Sequence, residues 1–340
     1  MRVLFLTHAY PRDDADPVGS FLLRLALALQ EHGVEVRVLA PSAPGLAAEE
    51  ALHGIPVRRF RYATAKLETL AYTGTMSAQV RDSWGARIAM AGLLTAAGRR
   101  MAAELRSFRP DVVHAHWWFP SGLVASGFRR LWGTPLVTTL HGSDLRVARS
   151  VPGGAALFRG VAGASDVLTT VSRWLAAEAR QLAPRVEAVV APMPVAPDLF
   201  FPPSARARDR LLFVGKLTEQ KGLHHLLRAL SLMTARPRLD VVGAGRVDDR
   251  HLRELAAELG VADRITWHPL LRQAELAELY RAATAHVIPA IDEGLGLTAV
   301  ESLLCETPVV AFESGGVVDA VLHERTGILV PPGDHVALAR

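Results

Sequence analysis

The stretch from residue 285 to residue 310 constrains the fold of this chain more than any other. An apolar run at 286–289 predicts a strand, a turn with Gly294 and Gly296 follows it, and Leu297–Leu304 has the spacing of a helix. Pro308 then opens a second apolar strand. Two apolar strands joined through one helix are typical of a parallel sheet covered by helices on both faces.

The turn in this stretch is a candidate anion site, because the first N–H groups of a helix have no helical partner. Glu293 and Glu301 bracket the helix start, eight residues apart. Carboxylates do not bind phosphate, so we expect them to accept hydrogen bonds from sugar or ribose hydroxyls. The alternative is a surface turn with two solvated acids.

The run from Glu293 to Glu301, with Gly294 and Gly296 inside it and Pro308-Val309-Val310 after it, resembles the donor-site motif of retaining GT-B glycosyltransferases. More narrowly it is similar to family 4 (GT4, also called glycosyl transferase group 1). Leu295 stands where the family usually has Phe, and Glu306 where it usually has Gly. The resemblance implies an α/β protein with the GT-B fold, in which two Rossmann-like, doubly wound parallel-sheet domains face each other across a cleft.

Length and composition fit two globular domains. The chain has 340 residues, of which 50% are hydrophobic and 21% charged. We expect a Rossmann-like acceptor-side domain at 1–190, a Pro-rich linker at 191–207 and a nucleotide-sugar-binding domain at 208–340. Relatives continue beyond the point that corresponds to Arg340, so the second domain is expected to lack its final helices.

Charge and cysteine content exclude several classes of function. The net charge is +4, which is too weak to indicate nucleic acid, and no basic run interleaved with aromatic residues supports such a partner. The single cysteine, Cys305, excludes an intrachain disulfide and fits a reducing cytoplasm. We expect a cytoplasmic protein, with a peripheral contact at the inner face of the plasma membrane left open.

Two lysines lie on the predicted loop after the first strand of the second domain. Only three of the 38 basic residues are lysines, and two of these, Lys216 and Lys221, are five residues apart. The loop from Gly215 to Gly222 resembles the diphosphate-binding loop of the family, and a lysine ammonium suits phosphate oxygens. Coincidental surface lysines are the alternative.

The first domain contributes a second set of candidates. His141 follows the predicted strand Leu136–Leu140, where ligands meet a parallel sheet. The run from His141 to Asp144 resembles the first-domain motif of the family, which implies that His141 contacts the donor sugar and that Asp144 meets the acceptor. Gly19 stands at the start of a predicted helix, and the resemblance implies that a glycine there lets the chain approach the donor diphosphate. The alternative for His141 is a histidine that caps its own loop.

Two histidines on one face of a predicted strand could hold a metal ion. His114 and His116 have that spacing, but the sequence shows no third ligand. Relatives with the same run need no bound metal, so we expect no metal and no cofactor. The nucleotide sugar would be a substrate.

The resemblance implies a retaining transfer of a hexose from a UDP- or GDP-sugar to a glycan or lipid-linked acceptor, in cell-surface polysaccharide or glycolipid biosynthesis. The expected catalytic residues are His141, Lys216, Lys221 and Glu293. The expected donor-binding residues are Gly19, Gly294, Leu295, Gly296, Leu297, Thr298 and Glu301, and Asp144 is expected on the acceptor side.

Three other functions fit parts of the sequence. A glycosidase could use Glu293 and Glu301 as acid and nucleophile, but a simple glycoside brings no phosphate for the lysine loop. A nucleotide-sugar epimerase on the same fold and a catalytically silent nucleotide-sugar-binding module remain as alternatives.

A dinucleotide site at Gly243-x-Gly245 is disfavoured, because Asp248 stands where a third glycine is needed.

Overall fold

Parallel strands joined by helices account for both halves of the chain, as the alternation of apolar runs predicts. The computed structural model describes residues 1–202, 210–243 and 249–340. Within these ranges the chain divides into two compact units, Met1–Pro194 and Val195–Arg340. The division lies inside the expected linker 191–207; residues 203–207 of that linker and the turn from Gly245 to Asp248 lie outside the described residues.

The first unit is built on an eight-stranded sheet with the spatial order β3-β4-β2-β1-β5-β6-β7-β8. All neighbours are parallel except β3 and β4. Its strands are β1 (Arg2–Leu6), β2 (Glu35–Pro41), β3 (Glu49–Leu52), β4 (Ile55–Phe60), β5 (Val112–His116), β6 (Leu136–Leu140), β7 (Val167–Thr170) and β8 (Ala188–Val190). The inner strands are largely buried, because helices cover both faces of the sheet.

The helices of the first unit connect these strands. They are α1 (Ser20–Glu31), α2 (Met76–Asp82), α3 (Trp84–Ser107), α4 (Leu123–Trp132), α5 (Ser143–Ser150), α6 (Gly154–Ala162) and α7 (Arg173–Leu182). The long helix α3 packs Met90, Leu93 and Met101 into the same apolar cluster as Leu4 and Leu6 of β1. No helix in the described ranges is both long and apolar enough to cross a bilayer.

The second unit has a six-stranded, fully parallel sheet with the order β11-β10-β9-β12-β13-β14. Its strands are β9 (Arg210–Val214), β10 (Arg238–Val242), β11 (Ile265–His268), β12 (Ala285–Ile288), β13 (Val309–Phe312) and β14 (Gly327–Val330). Its helices are α8 (Leu223–Leu232), α9 (Arg250–Glu258), α10 (Gln273–Ala282), α11 (Leu297–Leu304), α12 (Val317–Ala320) and α13 (His335–Ala339).

Each sheet has a point at which the order of its strands reverses. In the second unit the chain runs from β9 outward to β11 and then returns to β12 on the other side of β9. In the first unit the same reversal lies between β1 and β5. Connections leave in opposite directions at such a point, which opens a crevice at the carboxyl ends of the two strands. The predicted site residues follow these strands.

Two strands were not predicted from the sequence. β3 contains Glu49 and Glu50, which are unfavourable in strands, and it forms by antiparallel pairing with β4 across a turn at His53 and Gly54. Both turn residues have positive φ, 51° and 82°, as in the tight turns that suit hairpins. β14 has only four residues and lies at the edge of its sheet.

Gly222, at the end of the lysine loop, lies against the loop that follows β12. Its φ is 71°, and a Cβ at this position would lie 1.9 Å from the carbonyl oxygen of Pro289. Any side chain would therefore push apart the loop that follows β9 and the loop that follows β12. Gly260 has a similar φ of 67° with no atom within 4 Å of such a Cβ, so it provides a matched comparison.

We predict that Gly222→Ala destabilises the protein much more than Gly260→Ala. The control carries only backbone strain of about 1 kcal/mol, whereas Gly222→Ala also displaces the Pro289 backbone and should cost at least about 3 kcal/mol in total. Urea unfolding followed by circular dichroism measures both. Equal losses would contradict the close approach of the two loops.

Candidate functional site

Three loops interlock at the carboxyl edge of the second sheet, next to the strand reversal. Gln220 Nε2 donates to the carbonyl oxygen of Asp292 (3.1 Å), and the Ile291 N–H donates to the carbonyl oxygen of Gln220 (3.0 Å). The third loop follows β13, and its Gly316 N–H donates to the carbonyl oxygen of Glu293 (2.6 Å). A Cβ at Gly315 would lie 2.4 Å from the backbone of Glu293, so this loop also requires glycine.

The centre of this arrangement is an ion pair. Lys221 Nζ donates to Glu293 Oε2 at 2.5 Å, with the two side chains 26% and 18% exposed. The aliphatic part of Lys221 lies over Gly215, whose added Cβ would be 3.5 Å from Lys221 Cδ. The sequence placed these two charged residues 72 positions apart, and the fold brings them into contact. Both side chains are therefore partly accessible to solvent.

Helix α11 begins beside this ion pair. Gly296 precedes it with φ 75° and ψ 54°, a left-handed conformation that turns the chain into the helix. The Glu293 side chain lies 3.7 Å from the position of a Gly296 Cβ. Gly294, Leu295 and Gly296 are buried, while Leu297 and Thr298 are half-buried at the helix start. The N-terminus of α11 and the Lys221 ammonium thus lie together, a combination that favours an anion.

Lys216 belongs to the same loop as Lys221 but occupies a different environment. It is exposed and lies two residues after the end of β9. Its carbonyl oxygen accepts from the Thr218 N–H (2.8 Å), which shapes the turn toward Lys221. The structure therefore places Lys216 at the rim of the carboxyl edge and Lys221 inside it.

Glu301 lies on α11 and faces α10. Tyr280 Oη, from a fully buried tyrosine, donates to Glu301 Oε2 at 3.1 Å. Burial raises the pKa of Glu301 to about 7, although the hydrogen bond from Tyr280 opposes that rise. Near neutral pH the side chain is therefore close to the balance between acid and carboxylate. A ligand hydroxyl that donates to it would favour the carboxylate.

A buried histidine, His286, lies beside Tyr280 in the second unit. His286, on β12, is fully buried. Its ring packs edge-on against Tyr280, with centroids 5.2 Å apart. Burial and the charge of Lys221 together lower the pKa of His286 to about 3, although a backbone hydrogen bond with Thr298 opposes the shift. The imidazole is therefore neutral and leaves the positive charge of the site to Lys221.

In the first unit, histidines gather at the carboxyl ends of three neighbouring strands. His8 follows β1, His114 and His116 end β5, and His141 follows β6. His114 and His116 stack with centroids 4.1 Å apart, and His116 Nδ1 lies 3.3 Å from His141 Nε2. Burial lowers the pKa values of these rings, to about 4 for His8 and about 3 for His141. The cluster is therefore neutral.

Aromatic rings hold His141 on two sides. Trp117 lies 4.4 Å from it and Phe21, from α1, lies 5.2 Å from it, measured between ring centroids. Phe21 is two residues after Gly19, which has φ 78° and would place a Cβ 2.8 Å from the carbonyl oxygen of Ala9. Gly19 thus lets the start of α1 approach the loop after β1, and that places the helix start near His141.

Asp144 organises the loop that carries His141. It is 3% exposed, and its Oδ1 accepts N–H groups from Gly142 (2.9 Å), Leu145 (3.2 Å) and His141 (3.3 Å). Burial raises the pKa of this carboxyl to about 6, although its backbone N–H partners oppose the shift. The structure thus places the expected acceptor-side residue in the interior of its loop, beneath His141.

The structure brings together Lys221, Glu293 and the start of α11 in one unit, and His141, Asp144 and Gly19 in the other. Tyr280 and His286 were not identified from the sequence, because their importance arises from contacts between separate elements. His116 was singled out only as half of a metal-binding pair. Within residues 1–202, 210–243 and 249–340, no three His, Cys, Asp or Glu side chains are grouped so as to hold a metal ion.

Solved structures show the same fold. Sucrose-phosphate synthase from Thermosynechococcus elongatus matches with a TM-score of 0.83 at 20% identity, covering 100% of this chain and 88% of that one. Anabaena HepE in complex with UDP-glucose matches with a TM-score of 0.72 at 18% identity, with the same coverage of both chains. The two Rossmann-like parallel-sheet domains therefore have the GT-B fold.

Sequence comparisons define the family. The family model described as Glycosyl transferases group 1 matches residues 208–340, and the model described as Glycosyltransferase Family 4 matches residues 18–199. This chain belongs to glycosyltransferase family 4.

Two curated relatives carry the name D-inositol 3-phosphate glycosyltransferase. The protein from Thermobispora bispora is 37% identical over 268 residues, which cover 69% of this chain and 62% of that protein. The protein from Arthrobacter sp. is 30% identical over 379 residues, which cover 97% of this chain and 83% of that protein. The chain thus spans less than two thirds of the length of the first relative.

We predict that Glu301→Gln stabilises the protein increasingly as the pH rises from 5 to 8. The folded carboxyl holds its proton up to about pH 7, whereas the unfolded one releases it near the ordinary glutamate pKa of 4.5. The protonated carboxyl therefore contributes fully to the free energy of unfolding below pH 4.5, and this contribution is lost as the pH rises through 7. The uncharged amide avoids this loss, which is worth about 3 kcal/mol.

Urea unfolding at several pH values measures this difference. Glu258→Gln is the matched control, because Glu258 is exposed on α9 and solvent hydrates its carboxylate in both states. A difference between wild type and Glu301→Gln that does not change with pH would contradict the buried, protonated state of Glu301.

Proposed function

We propose that this protein is a retaining, metal-independent hexosyltransferase that uses a nucleotide-diphospho-sugar. The observation that carries the proposal is the arrangement at the strand reversal of the second sheet. There, Lys221 lies 2.5 Å from Glu293 beside the N-terminus of α11, and Glu301 lies further along the same helix. A cation and a helix N-terminus suit a diphosphate, and carboxylates suit hydroxyls.

The parts of this arrangement have separate roles in the proposed reaction. Lys221, Lys216 and the N–H groups from Gly294 to Thr298 stabilise the charge that develops on the departing diphosphate. Glu301 accepts from the ribose hydroxyls, and Glu293 accepts from a hydroxyl of the donor sugar. Because Glu293 already pairs with Lys221, it also holds the ammonium in place before the donor binds.

The chemical step requires no protein nucleophile. The bond between the sugar C1 and the diphosphate oxygen breaks, and the acceptor oxygen bonds to C1 on the same face. The acceptor proton passes to the departing phosphate oxygen, so charge and atoms balance. His141 contacts the donor sugar in this scheme. Asp144, which is buried, contributes by holding the His141 loop.

The donor is proposed to be a UDP- or GDP-sugar. The structure of Anabaena HepE, which has the same fold, is a complex with UDP-glucose and supports UDP. The acceptor expected from the family resemblance is a glycan or a lipid-linked sugar, in cell-surface polysaccharide or glycolipid synthesis at the cytoplasmic face of the plasma membrane. A second candidate is D-inositol 3-phosphate, because the two curated relatives are named for it.

A donor screen tests the proposal. We expect one of the UDP-, GDP- or ADP-sugars to raise the melting temperature and to be hydrolysed slowly in the presence of EDTA. D-inositol 3-phosphate and lipid-linked glycans are then added as acceptors, and the anomeric configuration of the product is determined by NMR. Binding without turnover indicates the silent module, and a changed sugar without an acceptor indicates the epimerase. Inversion or loss of activity with EDTA contradicts the proposed mechanism.

We predict that Lys221→Ala lowers kcat by about 10² to 10³, the usual effect of removing one group that stabilises a departing charge. Lys221→Arg retains the charge and should retain most nucleotide binding. The matched control is Lys66→Ala, which removes an exposed lysine of the first unit and should leave kcat unchanged. A Lys221→Ala enzyme with full activity would remove Lys221 from the mechanism.

A further inference from the structure

The surroundings of His116 and His141 indicate which of the two rings donates the hydrogen bond between them. His116 Nδ1 and His141 Nε2 are 3.3 Å apart, so one of the two nitrogens donates a hydrogen bond to the other. Both rings are neutral, because burial lowers the pKa of His141 to about 3 and that of His116 well below its ordinary value. Each ring therefore carries one proton, on one of its two nitrogens.

The second nitrogen of His116 decides which ring donates. His116 is fully buried, and its Nε2 has no hydrogen-bond partner among the described residues. Its ring is enclosed by His114, at 4.1 Å, and by Phe5, at 4.7 Å between centroids. An orphaned buried N–H is rarer in proteins than an unused acceptor. The proton of His116 therefore belongs on Nδ1, which faces His141, and not on Nε2.

We infer that His116 is a positioning residue that donates from Nδ1 to His141 Nε2 and so fixes the His141 proton on Nδ1. His141 then offers a hydrogen-bond donor to a substrate oxygen and cannot act as a base through the nitrogen that His116 occupies. The part of this inference that concerns substrate rests on the proposed function. The tautomer itself does not depend on that function.

The surroundings of His141 keep this orientation. The ring is packed between Trp117 and Phe21, which restricts its rotation about the side-chain bonds. Its Nδ1 makes no hydrogen bond within the described part of the chain, so this N–H is free to meet a ligand. A rigid ring with a fixed proton loses little entropy when it donates to a sugar hydroxyl.

The tautomer is read directly by nitrogen NMR of protein labelled at its histidine rings. The His141→Asn variant identifies the His141 signals by their loss. We expect His141 to show a protonated Nδ1 and a bare Nε2, and His116 to show a protonated Nδ1. A His141 ring protonated on Nε2 overturns the inference, whatever the activity of the protein.

Two substitutions of His116 separate the hydrogen bond from packing. In His116→Asn, the amide nitrogen takes the place of Nδ1 and retains a donor, whereas His116→Leu fills the space without one. We expect Asn to keep the His141 tautomer and Leu to give a mixture of tautomers. Similar behaviour of the two variants would show that the donor has no effect and would overturn the positioning role.

Donor-sugar hydrolysis gives the second measurement. Loss of one hydrogen bond to substrate corresponds to a decrease of about tenfold, so His116→Leu should lower kcat/KM by that factor and His116→Asn by less. An active wild type with equal kcat/KM in both variants overturns the role in the reaction. A wild type that turns over no nucleotide sugar, but has the expected tautomer, refutes the proposed function and leaves the histidine pair intact.

Discussion

The candidate site of the second unit depends on the close approach of two loops, where Gly222 meets the carbonyl oxygen of Pro289. Only a residue without a Cβ allows this distance. Lys221, the residue before Gly222, pairs with Glu293 across the same two loops. The strand reversal between β9 and β12 creates the space in which both loops lie. Backbone sterics thus determine where the charges of the site are placed.

The polar residues at the carboxyl ends of the two parallel sheets differ in charge. In the second unit the site is charged: Lys221 and Glu293 pair at a half-exposed edge, and the adjacent His286 is neutral. In the first unit the histidines are packed together with aromatic rings and carry no charge. One unit is suited to an anion and the other to hydroxyl groups.

Buried acids add a dependence on pH that the sequence does not reveal. Glu301 and Asp144 both have pKa values raised by burial, to about 7 and about 6. Their positions differ, because Glu301 has a tyrosine partner on a neighbouring helix and Asp144 is held by backbone N–H groups of its own loop. A ligand hydroxyl at Glu301 would favour the carboxylate, so we expect ligand binding there to release a proton.

The sequence by itself determined the parallel α/β architecture, the start of α11 after Gly296 and the loop with Lys221, because apolar period and glycine position are local properties. It missed β3, whose glutamates form a strand only through their partner β4. Tertiary structure decided three contacts: Lys221 with Glu293, Tyr280 with Glu301, and His116 with His141. It also decided which histidine of the last pair donates the hydrogen bond. Each contact joins residues from separate elements, and burial, which sets their protonation, exists only after the sheets have formed.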